Sequence, residues 1–114
     1  MVVYRIDGQE NDMRSKILHQ EDGLQTFVLV FDKGEEVIRG LEDFARENAL
    51  NAAHFEAIGA FQSVTLGYFE RERTEYKEIP VDEQVEVLSC VGNVALKGTE
   101  RKVHAHVVLG KSDG

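Results

Sequence analysis

The stretch Val103-His104-Ala105-His106-Val107-Val108-Leu109 constrains the fold more tightly than any other part of the chain. Successive side chains of a β-strand point to opposite faces. Val103, Ala105, Val107 and Leu109 therefore share a wholly apolar face that belongs against a core. His104, His106 and Val108 share the other. A one-residue slip in pairing would carry the histidines inward and the apolar set outward, so the register is specified by burial.

A partner strand precedes it. Residues 85–96 read as a strand, and a four-residue turn over 98–101 would pair Lys97 with Lys102. That register sets Leu96 against Val103 and Val94 against Ala105, with Ala95 opposite His104 and Asn93 opposite His106. Upstream, residues 25–31 form a near-continuous apolar run, the pattern of a central strand covered on both faces. Residues 52–57 and 63–70 read as strands separated by the Gly59 region. Residues 74–79 form a weaker edge strand stopping at Pro80, the sole proline.

One helix is legible. Asp32 can cap it, with Glu35 as capping-box partner and Glu36 beside it in the first turn, where the helix dipole favours negative charge. Val37, Ile38, Leu41, Phe44 and Ala45 recur at helical spacing, and Asn48 is a stop. Strands in succession with one helix indicate an α+β class, largely antiparallel, rather than an alternating α/β fold.

The 114 residues suit a single domain spanning 1–114. No apolar stretch approaches the roughly 20 residues that cross a bilayer. The start Met-Val-Val-Tyr-Arg-Ile-Asp lacks the basic segment and apolar run of a secretory signal. The lone Cys90 forms no internal disulfide, and its apolar surroundings read as packing; a reducing, cytoplasmic setting fits. A net charge of −8 disfavours nonspecific binding to nucleic acid. The basic residues Lys97, Arg101 and Lys102, and Arg71 and Arg73, read as solvated hairpin ends.

The histidine pair carries the candidate chemistry. Residues i and i+2 on a strand lie about 6–7 Å apart at Cα, and metal–nitrogen bonds are about 2 Å. Two imidazoles so placed can converge on one divalent ion such as zinc. Two half-exposed histidines with no ligand are the simpler structural reading, and a catalytic zinc usually takes three protein ligands. His54 and Glu56 share a face of their own strand and are further candidates; His19 lies in a polar segment without a role. No phosphate-binding loop, paired-cysteine motif or nucleophile elbow is present. Ser112 and Asp113 read as loop residues.

Gly34-Glu35-Glu36-Val37-Ile38, Leu41, Phe44-Ala45, Ala52-Ala53, Ala57-Ile58-Gly59-Ala60-Phe61, Glu86-Val87-Leu88-Ser89, Gly92-Asn93, His104-Ala105-His106 and Ser112-Asp113-Gly114 follow one another in an order that resembles the Plants and Prokaryotes Conserved (PPC) domain. The resemblance runs from about Thr26 to the last residue. It implies an antiparallel-rich α+β fold, similar to that of acetolactate decarboxylase, in a stand-alone prokaryotic protein that assembles as a homotrimer. It also implies a third histidine ligand and a closing strand beyond Gly114, so the chain reads as a domain without its C-terminal closing segment. Plant members follow AT-hook segments in DNA-binding proteins; here Arg39-Gly40 sits inside the helix with no hook context. The plant partner-binding stretch corresponds to Glu83-Gln84-Val85-Glu86-Val87-Leu88, which lacks its Gly, Arg and Phe.

Three functional readings follow. The first is a homotrimer with a metal or small-ligand site at His104 and His106. The second is a DNA-associated protein, disfavoured by the acidic charge. The third is a metal-dependent enzyme resembling the decarboxylase, for which Glu56 and Glu86 are the available carboxylates. Whether the chain is an enzyme stays open on the sequence.

Overall fold

The structure is a computed structural model describing residues 2–5 and 13–114. Residues 1 and 6–12, which carry part of the N-terminal stretch read as lacking a secretory signal, lie outside the described residues. The elements are β1 (Val2–Arg5), β2 (Arg14–Glu21), β3 (Leu24–Val30), α1 (Val37–Glu47), β4 (Ala52–Phe61), β5 (Val64–Glu70), β6 (Glu75–Val81), β7 (Val85–Lys97) and β8 (Glu100–Gly110). Among the described residues, six strands form one sheet in the order β4-β7-β8-β1-β5-β6, and β2 and β3 form a separate hairpin. Every pairing is antiparallel.

This order forces curvature. β4 and β5 are four strand spacings apart, about 19 Å across a flat sheet. Only Gln62 and Ser63 join them, and the three residue steps from Phe61 to Val64 reach at most about 11 Å. The β6–β7 link, residues 82–84, makes a comparable jump. The sheet must therefore curl until its edges approach. Phe61, Val64, Leu66, Val85, Val87, Cys90, Ala105 and Val107 meet in one buried cluster inside that curl.

Helix α1 packs against the sheet through Gly40, Leu41, Phe44 and Ala45, with Val37 and Ile38 reaching the core cluster. Its cap differs from expectation. Glu36, not Asp32, is the N-cap, its side chain accepting from the Arg39 N–H. Asp32 instead starts a turn: its N–H donates to Glu35 Oε2 at 2.5 Å, and its carbonyl accepts from the Glu35 N–H. Glu35 and Glu36 thus precede the first turn. Asn48 closes the helix, its N–H and side-chain amide both donating to the Phe44 carbonyl.

The run 25–31 is not a central strand. It forms most of β3, which pairs with β2 alone, and Val28 and Val30 remain 40% and 44% exposed. An apolar run without strict alternation does not specify which neighbour covers it. Here one face meets the helix, where Phe27 stacks edge-on against Phe44 at 5.0 Å, and the other is open. β4 is also one strand rather than an end before Gly59: a register shift between Ala57 and Gly59 absorbs Ile58. β6 runs through Pro80 to Val81, which its edge position permits.

Candidate metal centre

The turn between β7 and β8 has two residues, Gly98 and Thr99, with Gly98 at φ 66°. Lys97 pairs with Glu100, Val94 with Val103, Gly92 with Ala105, Asn93 with His104 and Val91 with His106. The register expected from a four-residue turn is thus displaced by two. A displacement of two preserves the faces, so Ala105 and Val107 are buried and His104 and His106 stand on the opposite side of the sheet, exposed. Asn93 is beside His104 rather than His106, and Ala95 faces Lys102.

The two rings converge. His104 Nε2 and His106 Nε2 are 3.2 Å apart, with ring centroids at 5.1 Å and planes at 69°. Two nitrogens about 2.05 Å from one tetrahedral ion would be separated by about 3.3 Å. Imidazole nitrogen is a ligand type that zinc accepts, and both rings stand on an accessible face. With no ion, one ring can donate its Nε2–H to the other.

β4 pairs with β7 and so brings in the other candidates. His54 is opposite Asn93 and Glu56 is opposite Val91. His54, Asn93 and His104 therefore form one row across three strands, and Glu56, Val91 and His106 form the next. Among the described residues no three His, Cys, Asp or Glu side chains gather closely enough to hold one ion. Glu86 lies opposite Gly110, four pairs beyond His106. His19 lies on the hairpin, 3.1 Å from Glu21. Cys90 is buried, and burial pushes its thiol up from the ordinary value. Ser112 and Asp113 form an exposed turn after β8.

Apolar side chains are also exposed on this part of the sheet. Around the histidines stand Val91, Val108 and Leu88, which are 42%, 58% and 61% exposed, with Ile58 at 85% in the β4 bulge. Each of these residues alone reads as strand packing in the sequence; the pairing of β4, β7 and β8 gathers them.

The model of the Plants and Prokaryotes Conserved (PCC) domain matches residues 18–114. The chain belongs to this family. Among solved structures, a metal-containing protein of Archaeoglobus fulgidus is 30% identical with a TM-score of 0.70, covering 98% of this chain and 69% of that one. A plant- and prokaryote-conserved (PPC) protein of Pyrococcus horikoshii is 31% identical with a TM-score of 0.69, over 92% and 66% of the two chains. A candidate DNA-binding protein of Bacteroides thetaiotaomicron shares the fold at 21% identity, TM-score 0.76, over 87% and 67%. The chain thus spans about two thirds of the length of these relatives. No curated protein matches it. Among the described residues no helix is long and apolar enough to cross a membrane.

Proposed function

We propose that this PCC-domain chain holds a divalent metal ion, zinc in the first instance, between His104 and His106, and presents that ion to a small ligand within a homotrimer. The observation that carries the reading is the 3.2 Å separation of the two Nε2 atoms on an exposed strand face. The 30% identical relative named as metal-containing supports it. A bound ion would supply Lewis acidity to a ligand oxygen. The chain's own part is positional: the alternation of β8 aims both rings outward, and the two-residue turn fixes their row.

Exposed Ile58, Leu88, Val91 and Val108 support assembly through the same face, since a soluble monomer rarely leaves such a patch uncovered. Light scattering should give three times the mass of one chain; a monomer at micromolar concentration would remove the assembly from the proposal.

The metal test uses protein purified without an affinity tag. Wild type should carry zinc, and His104→Ala/His106→Ala should not. Equal, negligible metal in both ends the reading. Imidazole protonates near pH 6.5 in general, so zinc should be released as pH falls below about 6.

A DNA-associated role is favoured by the name of the 21% identical relative, and opposed by the net charge of −8. Absence of a gel-shift at low salt would dispose of it for this chain. An enzymatic reading needs an acid or base beside the ion. Glu56 and Glu86 share the face, but neither closes on the histidines to complete a set of three.

A further inference from the structure

The two short links that make the sheet curl also help to enclose a cavity of about 340 Å³. Gln62 lines it from the β4–β5 link and Gln84 from the β6–β7 link, and residues 31–35, which carry the chain from β3 into α1, supply a third wall. The apolar lining is Phe31, Val37, Ala60 and Phe61, and Phe61 continues into the buried core cluster. The cavity is remote from the histidines. Gln84 lies seven residues before Val91, the partner of His106, which is about 20 Å along β7.

The polar lining divides into engaged and unengaged groups. The Asp32 carboxylate accepts from Arg14 Nη2 at 3.3 Å, and the buried Glu35 carboxylate accepts the Asp32 N–H. Among the described residues, the side chains of Lys33, Gln62 and Gln84 have no hydrogen bond or ion pair. The two lining carboxylates are offset by Lys33 in the lining and by Arg14 against Asp32. What the cavity holds ready is therefore one ammonium and two primary amides.

These groups select a ligand class. Lysine binds an anionic oxygen as a point charge, and each glutamine offers an N–H₂ donor beside it. The four apolar residues accept a body without polar atoms, and two of them are aromatic. A ligand amine would meet Lys33 with like charge, and a hydrocarbon would gain nothing from the amides. At about 30 Å³ for each water-sized group, the cavity has room for about eleven non-hydrogen atoms. Its volume lies at the small end of the range for ligand pockets, about 300–1,000 Å³.

We propose that this cavity binds a small monocarboxylic acid with an aryl or branched-alkyl body, its carboxylate held by Lys33, Gln62 and Gln84 and its body set against Phe31, Val37, Ala60 and Phe61. The site is separate from the metal assigned to His104 and His106, and its test is run on metal-free full-length chain so that no ion can capture the acid. Phenylacetate and phenylacetamide, equal in size and shape, are the two probes, followed by ¹⁵N-resolved NMR titration. Phenylacetate shifts the side-chain amides of Gln62 and Gln84 and the backbone amides of residues 31–35, and leaves residues 104–106 unmoved. Phenylacetamide binds about tenfold more weakly, the worth of a hydrogen bond to a charged group. Lys33→Gln, at an exposed position, lowers phenylacetate affinity about tenfold and leaves that of phenylacetamide unchanged. Circular dichroism verifies the fold of the variant. No shift at these positions with about 10 mM phenylacetate, shifts confined to β8, or equal affinity for the acid and the amide would each overturn the proposal.

Discussion

Gly92 offers the sharpest test of how the sheet positions His104. It sits on β7 in the core-facing row, opposite Phe55 on one side and Ala105 on the other. A Cβ at this position would lie 2.4 Å from the His104 carbonyl oxygen, 2.7 Å from Phe55 Cζ and 2.9 Å from Ala105 Cα. Ordinary contact begins at 3.4 Å, so the worst shortfall is 1.0 Å, against 2.4 Å available. The Phe55 ring can swing aside. The other two atoms belong to one rigid peptide stretch of β8, which can yield only by moving away from β7. Overpacking of this kind costs about 2–3 kcal/mol, offset by about 0.4–1 kcal/mol because alanine stiffens the unfolded chain. At about 4 °C per kcal/mol for a chain of this size, Gly92→Ala should melt about 4–10 °C below wild type. Gly110→Ala is the control. Its nearest atoms, on Leu88 and Glu86, are at 3.7 to 3.8 Å, so its melting temperature should stay within about 2 °C of wild type. Because the displaced peptide carries His104, zinc affinity should also fall in Gly92→Ala and hold in Gly110→Ala. Thermal circular dichroism reads the first effect and metal titration the second. Equal melting of Gly92→Ala and wild type, or equal losses in the two variants, would refute the reasoning.

Phe44→Ala should cost about 3–4 kcal/mol in urea unfolding, since Phe44 is buried on the helix stripe and stacks against Phe27. Amides of β2 and β3 should exchange faster in that variant, because the stack ties the hairpin to the helix. Glu42→Ala should lose about 1 kcal/mol by removing the Oε1 that accepts the Val103 N–H at 3.3 Å, and Glu42→Gln should restore most of it. Cys90 should resist iodoacetamide at pH 7.5 until denaturant unfolds the chain, as burial raises its thiol above the ordinary 9.0. The sign follows from linkage: a raised thiol stabilises fully below the unfolded value and loses that contribution as pH climbs through the folded one. Stability should therefore decline above about pH 9 less steeply in Cys90→Ala than in wild type.

Elements with a strong period were legible, and those without one were not. The stripe Val37, Ile38, Leu41, Phe44 and Ala45 forms the inner face of α1, and Asn48 ends it. The first turn was misread because Asp32 and Glu35 do bond in a capping-box manner, in a turn just ahead of the helix. The run 25–31 has no period, so nothing in it distinguished a strand buried on both faces from one that meets a helix on one face, through Phe27. The curl of the sheet lay further out of reach. It follows from the lengths of two short links once the strand order is known, and that order depends on pairings between residues far apart in sequence.

The histidine pair stayed legible despite a misplaced turn, and the reason is the two-residue period of a strand. A turn of two residues in place of four moves every pairing by two, which changes the neighbours of each ring but not its face. What the sequence could resolve was therefore the side on which His104 and His106 stand. What it could not resolve was their company. Asn93 moved from one histidine to the other, and His54 and Glu56 entered the same two rows through β7. Facial assignment rests on local burial and is robust. Row assignment rests on turn length and on which strand lies alongside. Any chemistry needing only two convergent imidazoles can thus be argued from β8 itself, whereas chemistry needing a third group must be argued from the pairing of β4 with β7.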